Sequence, residues 1–173
     1  MNQYKSIETE RLILQPASEV DAPFFLELFN TPTFIKYIGD RNIRTTEAAR
    51  TYIKAKMAPQ LERLGYGNFV IIRKEDNFKI GTCGLFDREG LDGIDIGFAL
   101  LPDYEKQGYA YEAARKVMQA AFTAFGLTSL SGITTKENLS SQRLLEKLGF
   151  TLKGSIRIPN DPEELLLYEI SKS

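Results

Sequence analysis

The sequence predicts one mixed α/β domain that spans residues 1–173. Short β-type runs and segments of helical periodicity follow each other in the order β-α-α, then β-β-β-α, then β-α-β-β. A chain of 173 residues is long enough for one compact core and short for two. No repeat, low-complexity tract or linker divides it. We therefore expect a single mixed sheet with helices packed against it.

The chain begins with a predicted strand and helix. Arg11–Pro16 has the pattern of a short strand that stops at its proline. Ser18 followed by Asp21 suits the start of a helix. The expected buried face of that helix consists of apolar residues at helical spacing, namely Val20, Phe24, Phe25, Leu28 and Phe29.

A second helix is expected after a short apolar segment at Phe34–Ile38. Thr45 or Thr46 would cap this helix, and Pro59 would kink it. Its apolar side would carry Ala49, Tyr52, Ile53 and Met57.

The middle of the chain predicts a hairpin, a third strand and a long helix. Two β-rich runs between Asn68 and Phe86 flank a polar turn, and Gly93–Leu101 forms the next strand. The helix that follows would bury Ala110, Ala114, Val117, Met118, Ala121, Phe122 and Phe125. Its opposite face, which includes Glu112, is expected to face water.

The last third predicts a strand, a helix and a strand pair. Leu130–Thr135 is the strand, and the helix that begins near Asn138 ends at Gly149. Phe150–Ile158 and Glu164–Ile170 then form the final pair of strands.

Composition excludes several classes of function. The net charge of −1 argues against a broad electrostatic grip on nucleic acid or an anionic membrane. Cys83 is the only cysteine, so no intrachain disulfide can form. No apolar run approaches the length of a membrane span, and the cytoplasm is the expected location.

The chain contains no histidine. This absence removes the commonest general base and the commonest metal ligand, so no metal site is expected. A Ser-His-Asp or Cys-His arrangement cannot be built. Catalysis would depend on carboxylates, hydroxyls, amines, the backbone or a cofactor.

The junction Leu101–Ala110 is the segment most indicative of ligand binding. It connects a strand to a helix, and the first amides of a helix have no partners within the helix. Those amides and the helix dipole favour phosphate. Gly108 would let a diphosphate approach the main chain, and Lys106 would add positive charge. Alternatively, Gly108 only eases a tight turn and Ala110 packs on the sheet.

Four segments of the chain together indicate a known family. They are ETERLILQP, IGTCGL, DIGFALLPDYEKQGYAYEA and NLSSQRLLEKLGF. These segments resemble successive signatures of the GNAT N-acetyltransferases, and most closely those of the ribosomal-protein N-terminal acetyltransferases. They occur in the family's order and spacing, between about Ile7 and Tyr168. The resemblance implies a sheet that splays between two central parallel strands, with helices on both faces.

The resemblance also implies that acetyl-CoA binds between the two splayed strands. The pantetheine arm would run along Phe98, Ala99 and Leu100. The pyrophosphate would lie on the elbow, here Lys106, Gln107, Gly108, Tyr109 and Ala110. Asn138 and Ser141 would contact the donor from the next helix. Glu105 departs from the pattern, which usually has Arg or Gln there, and its carboxylate would repel phosphate.

Asp95 is the candidate general base, because it matches an acidic position of this group. As an alternative, alternation along the strand makes Asp95 a solvent-facing residue opposite Ile94, Ile96 and Phe98. A free α-amino group has a pKa of about 8, so a weak base or a water relay is sufficient.

Ser141 is the candidate proton donor to the thiolate, and its alternative role is helix capping. Tyr109 and Tyr111 are further candidates for the donor role, and Asn138 would also suit the cap. Cys83 is interpreted as a core residue, and transfer is expected to proceed by direct attack of the amine.

The acceptor pocket is the least defined part of the expected site. By resemblance, Phe24, Phe34, Tyr37 and the 159–162 loop would line it, while Asp40, Glu89, Asp92 and Asp161 would attract a cationic amine. A protein N-terminus and a small-molecule amine both remain open, as do a monomer and a homodimer. Two other hypotheses are a non-catalytic acyl-CoA-binding or sensing domain, and an interaction module whose glycine elbow is purely structural.

Overall fold

The computed structural model describes residues 4–173, and the strands in this range form one eight-stranded sheet. The strands are β1 (Ile7–Glu8), β2 (Leu12–Pro16), β3 (Asn68–Arg73), β4 (Phe78–Phe86), β5 (Asp95–Leu100), β6 (Ser129–Thr134), β7 (Thr151–Ile156) and β8 (Leu165–Ser171). Their order across the sheet is β1-β2-β3-β4-β5-β6-β8-β7.

The helices occupy the connections that were predicted to hold them. They are α1 (Ala22–Phe29), α2 (Pro32–Tyr37), α3 (Thr46–Tyr52), α4 (Ala58–Leu64), α5 (Tyr109–Phe122) and α6 (Leu139–Lys147). Single 3-10 turns precede α1 at Glu19–Asp21 and α5 at Pro102–Tyr104.

The sheet is mixed because one neighbouring pair of strands is parallel. β5 and β6 run in the same direction, and the crossover between them contains α5. The other neighbouring pairs are antiparallel. The predicted α/β class with a mixed sheet is therefore confirmed.

Helices cover both faces of the sheet. In β3, Phe69 and Ile71 pack toward α5 and α6, whereas Val70 lies in a second apolar cluster formed by α1, α2 and α3. This alternation is the two-residue period of a strand buried on both faces. Two separate cores therefore hold the central strands: one lies between the sheet and the helices α5 and α6, and the other between the sheet and the helices α1, α2 and α3.

Several local predictions are corrected by the structure. Phe34–Ile38 lies mainly in the short helix α2, which Thr31 caps and Pro32 begins. Val20 is 78% exposed, because it sits in the 3-10 turn before α1 and does not follow the period of that helix. An additional short strand, β1, precedes the predicted first strand.

The second predicted helix is divided by a widened turn. Thr45 caps it, as expected, but Ile53–Met57 adopts π-helical geometry between α3 and α4. Pro59 lies in the first turn of α4 and has no N–H to donate to the preceding turn. The expected kink at Pro59 thus takes the form of a π turn just before it.

Candidate functional site

The parallel strands β5 and β6 part soon after they meet. Asp95 and Ser131 are the one pair in register between them in the described chain, and the Ser131 N–H donates to the Ile94 carbonyl at 2.9 Å. Beyond this point β5 stays paired with β4 as far as Leu100, while β6 follows β8. A gap therefore opens toward the carboxyl ends of the two strands.

The open half of β5 presents main-chain groups to this gap. The N–H of Leu101 donates to Ile80 in β4 at 2.8 Å, and the Ile94 carbonyl bonds toward β6. Because successive residues of a strand bond to opposite sides, Phe98 and Leu100 direct their main-chain groups into the gap. Residues 97–100 are partly exposed, although they belong to a central strand.

The elbow between β5 and α5 contains a run of main-chain amides that have no partner among the described residues. The N–H groups of Tyr104 and Glu105 bond back to Leu101 and Pro102. In contrast, the main-chain N–H groups of residues 106–111 donate to no acceptor in the part of the chain that the structure describes. Gly108, at the N-cap of α5, has a φ of 83°, a left-handed conformation that glycine adopts without strain.

The predicted elbow residues differ in their surroundings. Lys106 is exposed and itself has a φ of 62°. The side-chain amide of Gln107 donates to the Asp103 carbonyl at 3.1 Å. Tyr109 is buried, whereas Ala110 is partly exposed. Backbone amides, rather than side chains, are thus the main hydrogen-bond donors that the elbow offers.

Arg11, directly before β2, holds the elbow in place through its side chain. Its Nη1 donates to the Gln107 carbonyl at 3.1 Å, and its guanidinium lies 4.3 Å from the centre of the Tyr109 ring. Nε pairs with Glu112 at 2.7 Å. Glu112 also accepts hydrogen bonds from Thr9 and from the Arg11 main chain. The prediction that Glu112 faces water is therefore wrong.

The start of α6 borders the other side of the gap, directly after β6. The side chain of Asn138 caps the helix by accepting from the Ser141 N–H at 3.2 Å. Asn138 thus has the capping role that was one of its two predicted roles, and Ser141 is not the cap. The Ser141 side chain is partly exposed. A role for either residue toward coenzyme A stays a prediction.

Asp95 lies at the closed end of the gap and is 1% exposed. The alternative that placed it in solvent is therefore wrong, although Ile96 and Phe98 do lie on the opposite face, as alternation predicted. Arg88 donates to both carboxylate oxygens, from Nε at 3.2 Å and from Nη2 at 3.3 Å. Burial raises the pKa of Asp95, and the Arg88 charge opposes part of that rise.

The remaining candidates for proton transfer occupy other environments. The Tyr109 hydroxyl accepts from Arg73 at 3.5 Å, on the side of the elbow that faces β3. The ring of Tyr111 lies beneath Lys147 of α6, with the ammonium 4.2 Å from its centre. Cys83 is fully buried, and burial raises the pKa of its thiol well above the usual range. It is a core residue, as predicted.

Thr135, one residue beyond β6, was not singled out from the sequence. Its hydroxyl is buried and has no hydrogen-bond partner among the described residues. A Cβ at Gly132 would contact Leu145 of α6, so alternation from Gly132 places Thr135 on the opposite face, the one that carries Asp95. The ordinary sequence ITTKEN gave no signal that this particular hydroxyl would lack a partner.

Residues proposed for the acceptor side have mainly structural environments. Phe24 and Phe34 are buried in the second core cluster. Asp40 pairs with Arg44 at 2.7 Å. The loops after β4 and after β7 meet where a Cβ at Gly90 would lie 2.4 Å from Pro159. The two loops thus lie together near the Arg88–Asp95 pair, but their contacts do not indicate which amine the site accepts.

Comparison with known proteins identifies the family. The family model described as "Acetyltransferase (GNAT) domain" matches residues 11–151, which is most of the chain. The chain belongs to the GNAT acetyltransferase family. It is also 30% identical over 152 residues to an uncharacterized N-acetyltransferase, YoaA, of Bacillus subtilis, covering 87% of this chain and 85% of that protein. The p20 N-acetyltransferase of Bacillus licheniformis, also uncharacterized, is 31% identical, with 88% and 86% covered.

Solved structures of acetyltransferases share the fold. An acetyltransferase from Agrobacterium tumefaciens is 25% identical, with a TM-score of 0.82 and coverage of 99% of this chain and 97% of that one. RimL, a ribosomal L7/L12 alpha-N-protein acetyltransferase in complex with coenzyme A, has a TM-score of 0.83 at 18% identity, covering 96% and 98%. At that identity the likeness to RimL concerns the fold alone.

No helix of residues 4–173 is long and apolar enough to cross a membrane.

Proposed function

We propose that this chain is an N-acetyltransferase that moves the acetyl group of acetyl-CoA directly to a primary amine, with both substrates bound together. Membership of the GNAT family establishes acetyl transfer in general. The observation that carries the proposal is the gap between β5 and β6, beside the amides of residues 106–111, which have no acceptor within the described residues 4–173.

The residues around the gap fit coenzyme A. A pyrophosphate needs hydrogen-bond donors and a close approach to the main chain. Beside Gly108, the elbow offers amides that donate to no acceptor in the described part of the chain. A pantetheine arm carries amide groups, for which the inward-facing main chain of Phe98 and Leu100 provides partners. Ala99 lies between these two residues, and Asn138 and Ser141 border the other side of the gap. Acetyl-CoA supplies the acetyl group as a thioester.

Direct transfer agrees with the position of the cysteine. A covalent acetyl-cysteine route needs an accessible thiol with a substantial thiolate fraction. Cys83 is buried, and its pKa is raised. Attack by the amine on the thioester therefore requires only orientation, a proton acceptor for the amine and a donor for the leaving sulfur.

We assign the proton acceptor to Asp95 and the donor to Ser141. The Asp95 carboxylate is held at the point where the strands separate, and Arg88 favours its ionised, basic form. Since Asp95 is 1% exposed, the amine proton reaches it through a water relay rather than by direct contact. Ser141 supports this assignment by its position in the first turn of α6, which follows β6 along the chain.

The acceptor class that we propose is a primary amine, either a protein N-terminus or a small molecule. The related proteins that support this class are described as N-acetyltransferases, without a stated acceptor. Structural neighbours that act on ribosomal proteins are 18–20% identical, which is too distant to transfer their acceptors.

A panel of amines tests the proposal. Purified protein is mixed with acetyl-CoA and single acceptors, including peptides that begin with Ala or Ser and several small amines, and free-thiol release is followed. Release that depends on an acceptor supports the transferase. Binding of coenzyme A without acceptor-dependent release identifies a non-catalytic acyl-CoA-binding domain. Absence of binding by calorimetry indicates that the elbow is only structural.

A further inference from the structure

We infer that Arg11 is a ligand of the donor's pyrophosphate and the residue that positions the elbow for it. The inference rests on the proposed function, because it concerns the same coenzyme A site. Arg11 precedes Glu105 by 94 positions and lies directly before β2 (Leu12–Pro16), yet the fold brings its side chain to the elbow. It was not among the residues that the sequence analysis assigned to the site.

The first argument is the position of the guanidinium. A Cβ at Gly108 would lie 3.3 Å from Nη2 of Arg11. The missing side chain of Gly108 is the space that lets a phosphate approach the elbow amides. Nη2 of Arg11 thus stands at the edge of the same space, within reach of an anion that would fill it.

The second argument is that the other nitrogens of Arg11 are already fixed. Nε pairs with Glu112 at 2.7 Å, and Nη1 donates to the Gln107 carbonyl at 3.1 Å. Tyr109 supports the guanidinium at 4.3 Å from its ring centre. Nη2, in contrast, donates to no acceptor among the described residues. Because Nε and Nη1 fix the orientation of the guanidinium, Nη2 is pre-organised to donate to one more acceptor.

The third argument is the local charge. Glu105 and Glu112 place two carboxylates at the elbow, and both would disfavour a doubly charged diphosphate. Arg11 neutralises Glu112 directly, and its side chain is still 42% exposed. Lys106 adds a second cation from the loop itself. Without Arg11, the negative charges of Glu112 and Glu105 would dominate the electrostatic potential at the backbone donors of the elbow and would repel the diphosphate.

The test compares two acetyl donors that differ in the phosphates. Acetyl-CoA carries the pyrophosphate, whereas S-acetylpantetheine has the same thioester arm and no phosphate. Arg11→Met should lower kcat/KM for acetyl-CoA about 10-fold or more and leave kcat/KM for S-acetylpantetheine within about twofold. Arg11→Lys should recover part of the loss, because it restores the charge without the planar fork.

Glu112→Gln separates the binding role from simple support of the elbow. This variant weakens the partner of Arg11 but keeps the guanidinium and removes a negative charge near the phosphate. Its loss of kcat/KM for acetyl-CoA should be clearly smaller than that of Arg11→Met. Arg50→Met, which removes an exposed arginine paired with Glu47, is the control for loss of one positive charge.

Three results would overturn the inference. Equal losses with both donors would show that Arg11 only maintains the fold around the elbow. An unchanged kcat/KM for acetyl-CoA in Arg11→Met would show that Nη2 contacts no phosphate. Lack of coenzyme A binding by the unmodified protein would refute the proposed function together with this inference, whereas normal binding combined with either of the first two results refutes the inference alone.

Discussion

Replacement of Gly108 by valine should weaken coenzyme A binding about 10- to 100-fold without unfolding the protein. Gly108 has a φ of 83°, and a Cβ there would lie 3.3 Å from Arg11, in the space assigned to the pyrophosphate. Any L-residue pays about 1–2 kcal/mol for this left-handed backbone conformation. Valine would also keep the phosphate away from the amides, each of which contributes about 1.5–3 kcal/mol when it bonds to a charged group.

Gly65 provides a matched control for the backbone cost. It has a φ of 84° at the end of α4, and a Cβ at this position would meet nothing within 4 Å. Gly65→Val and Gly108→Val should therefore lose similar amounts of thermal stability. Coenzyme A affinity, measured by titration calorimetry, should fall about 10- to 100-fold in Gly108→Val alone. Undiminished affinity, or equal losses in both variants, would refute the placement of the pyrophosphate.

Three further predictions concern polar side chains that are partly or fully buried. Arg88→Met removes the charge that opposes the raised pKa of Asp95, so the acidic limb of the kcat/KM profile should move to higher pH; a limb that stays in place excludes Asp95 as the base. Burial opposes ionisation of Glu112, but hydrogen bonds from Thr9 and Arg11 outweigh this effect and lower its pKa. Ionised Glu112 therefore stabilises the fold at pH values above its pKa in the unfolded chain, about 4.3. This stabilisation is lost as the pH falls through the lower pKa of the folded state. Urea unfolding of Glu112→Gln should accordingly show a smaller decline in stability between neutral and acid pH, and an unchanged decline contradicts the pairing. Thr135→Val removes a buried hydroxyl that has no partner among residues 4–173, and it should raise the free energy of unfolding by about 1 kcal/mol. A loss of stability would mean that the hydroxyl is satisfied in solution.

The parts of the site that lie close together in sequence were predictable. The elbow is a local feature, because a glycine at a helix start and the unpaired amides beside it follow from the chain direction alone. The same holds for the Asn138 cap, which was read from a polar residue at the start of an apolar helical pattern. These signals need no knowledge of what packs against them.

The environments of single charged residues were not predictable in the same way. Alternation predicted which face of β5 carries Asp95, but burial of that face depends on Arg88 and on the loops that cover it. Glu112 looked solvated on its own helix, yet Arg11 reaches it from a strand 101 residues earlier. The periodicity of a single helix or strand predicts which side a residue faces, but it does not predict which residues from distant segments will pack against that side.

Amide hydrogen exchange with and without coenzyme A tests the central claim most directly. The main-chain N–H groups of Phe98 and Leu100 face the gap, and those of residues 106–110 at the elbow donate to no acceptor in the described chain. Coenzyme A should slow their exchange about tenfold or more, because each gains an acceptor from the ligand. Binding that leaves these amides unprotected, or that protects only amides elsewhere in the protein, would contradict the account.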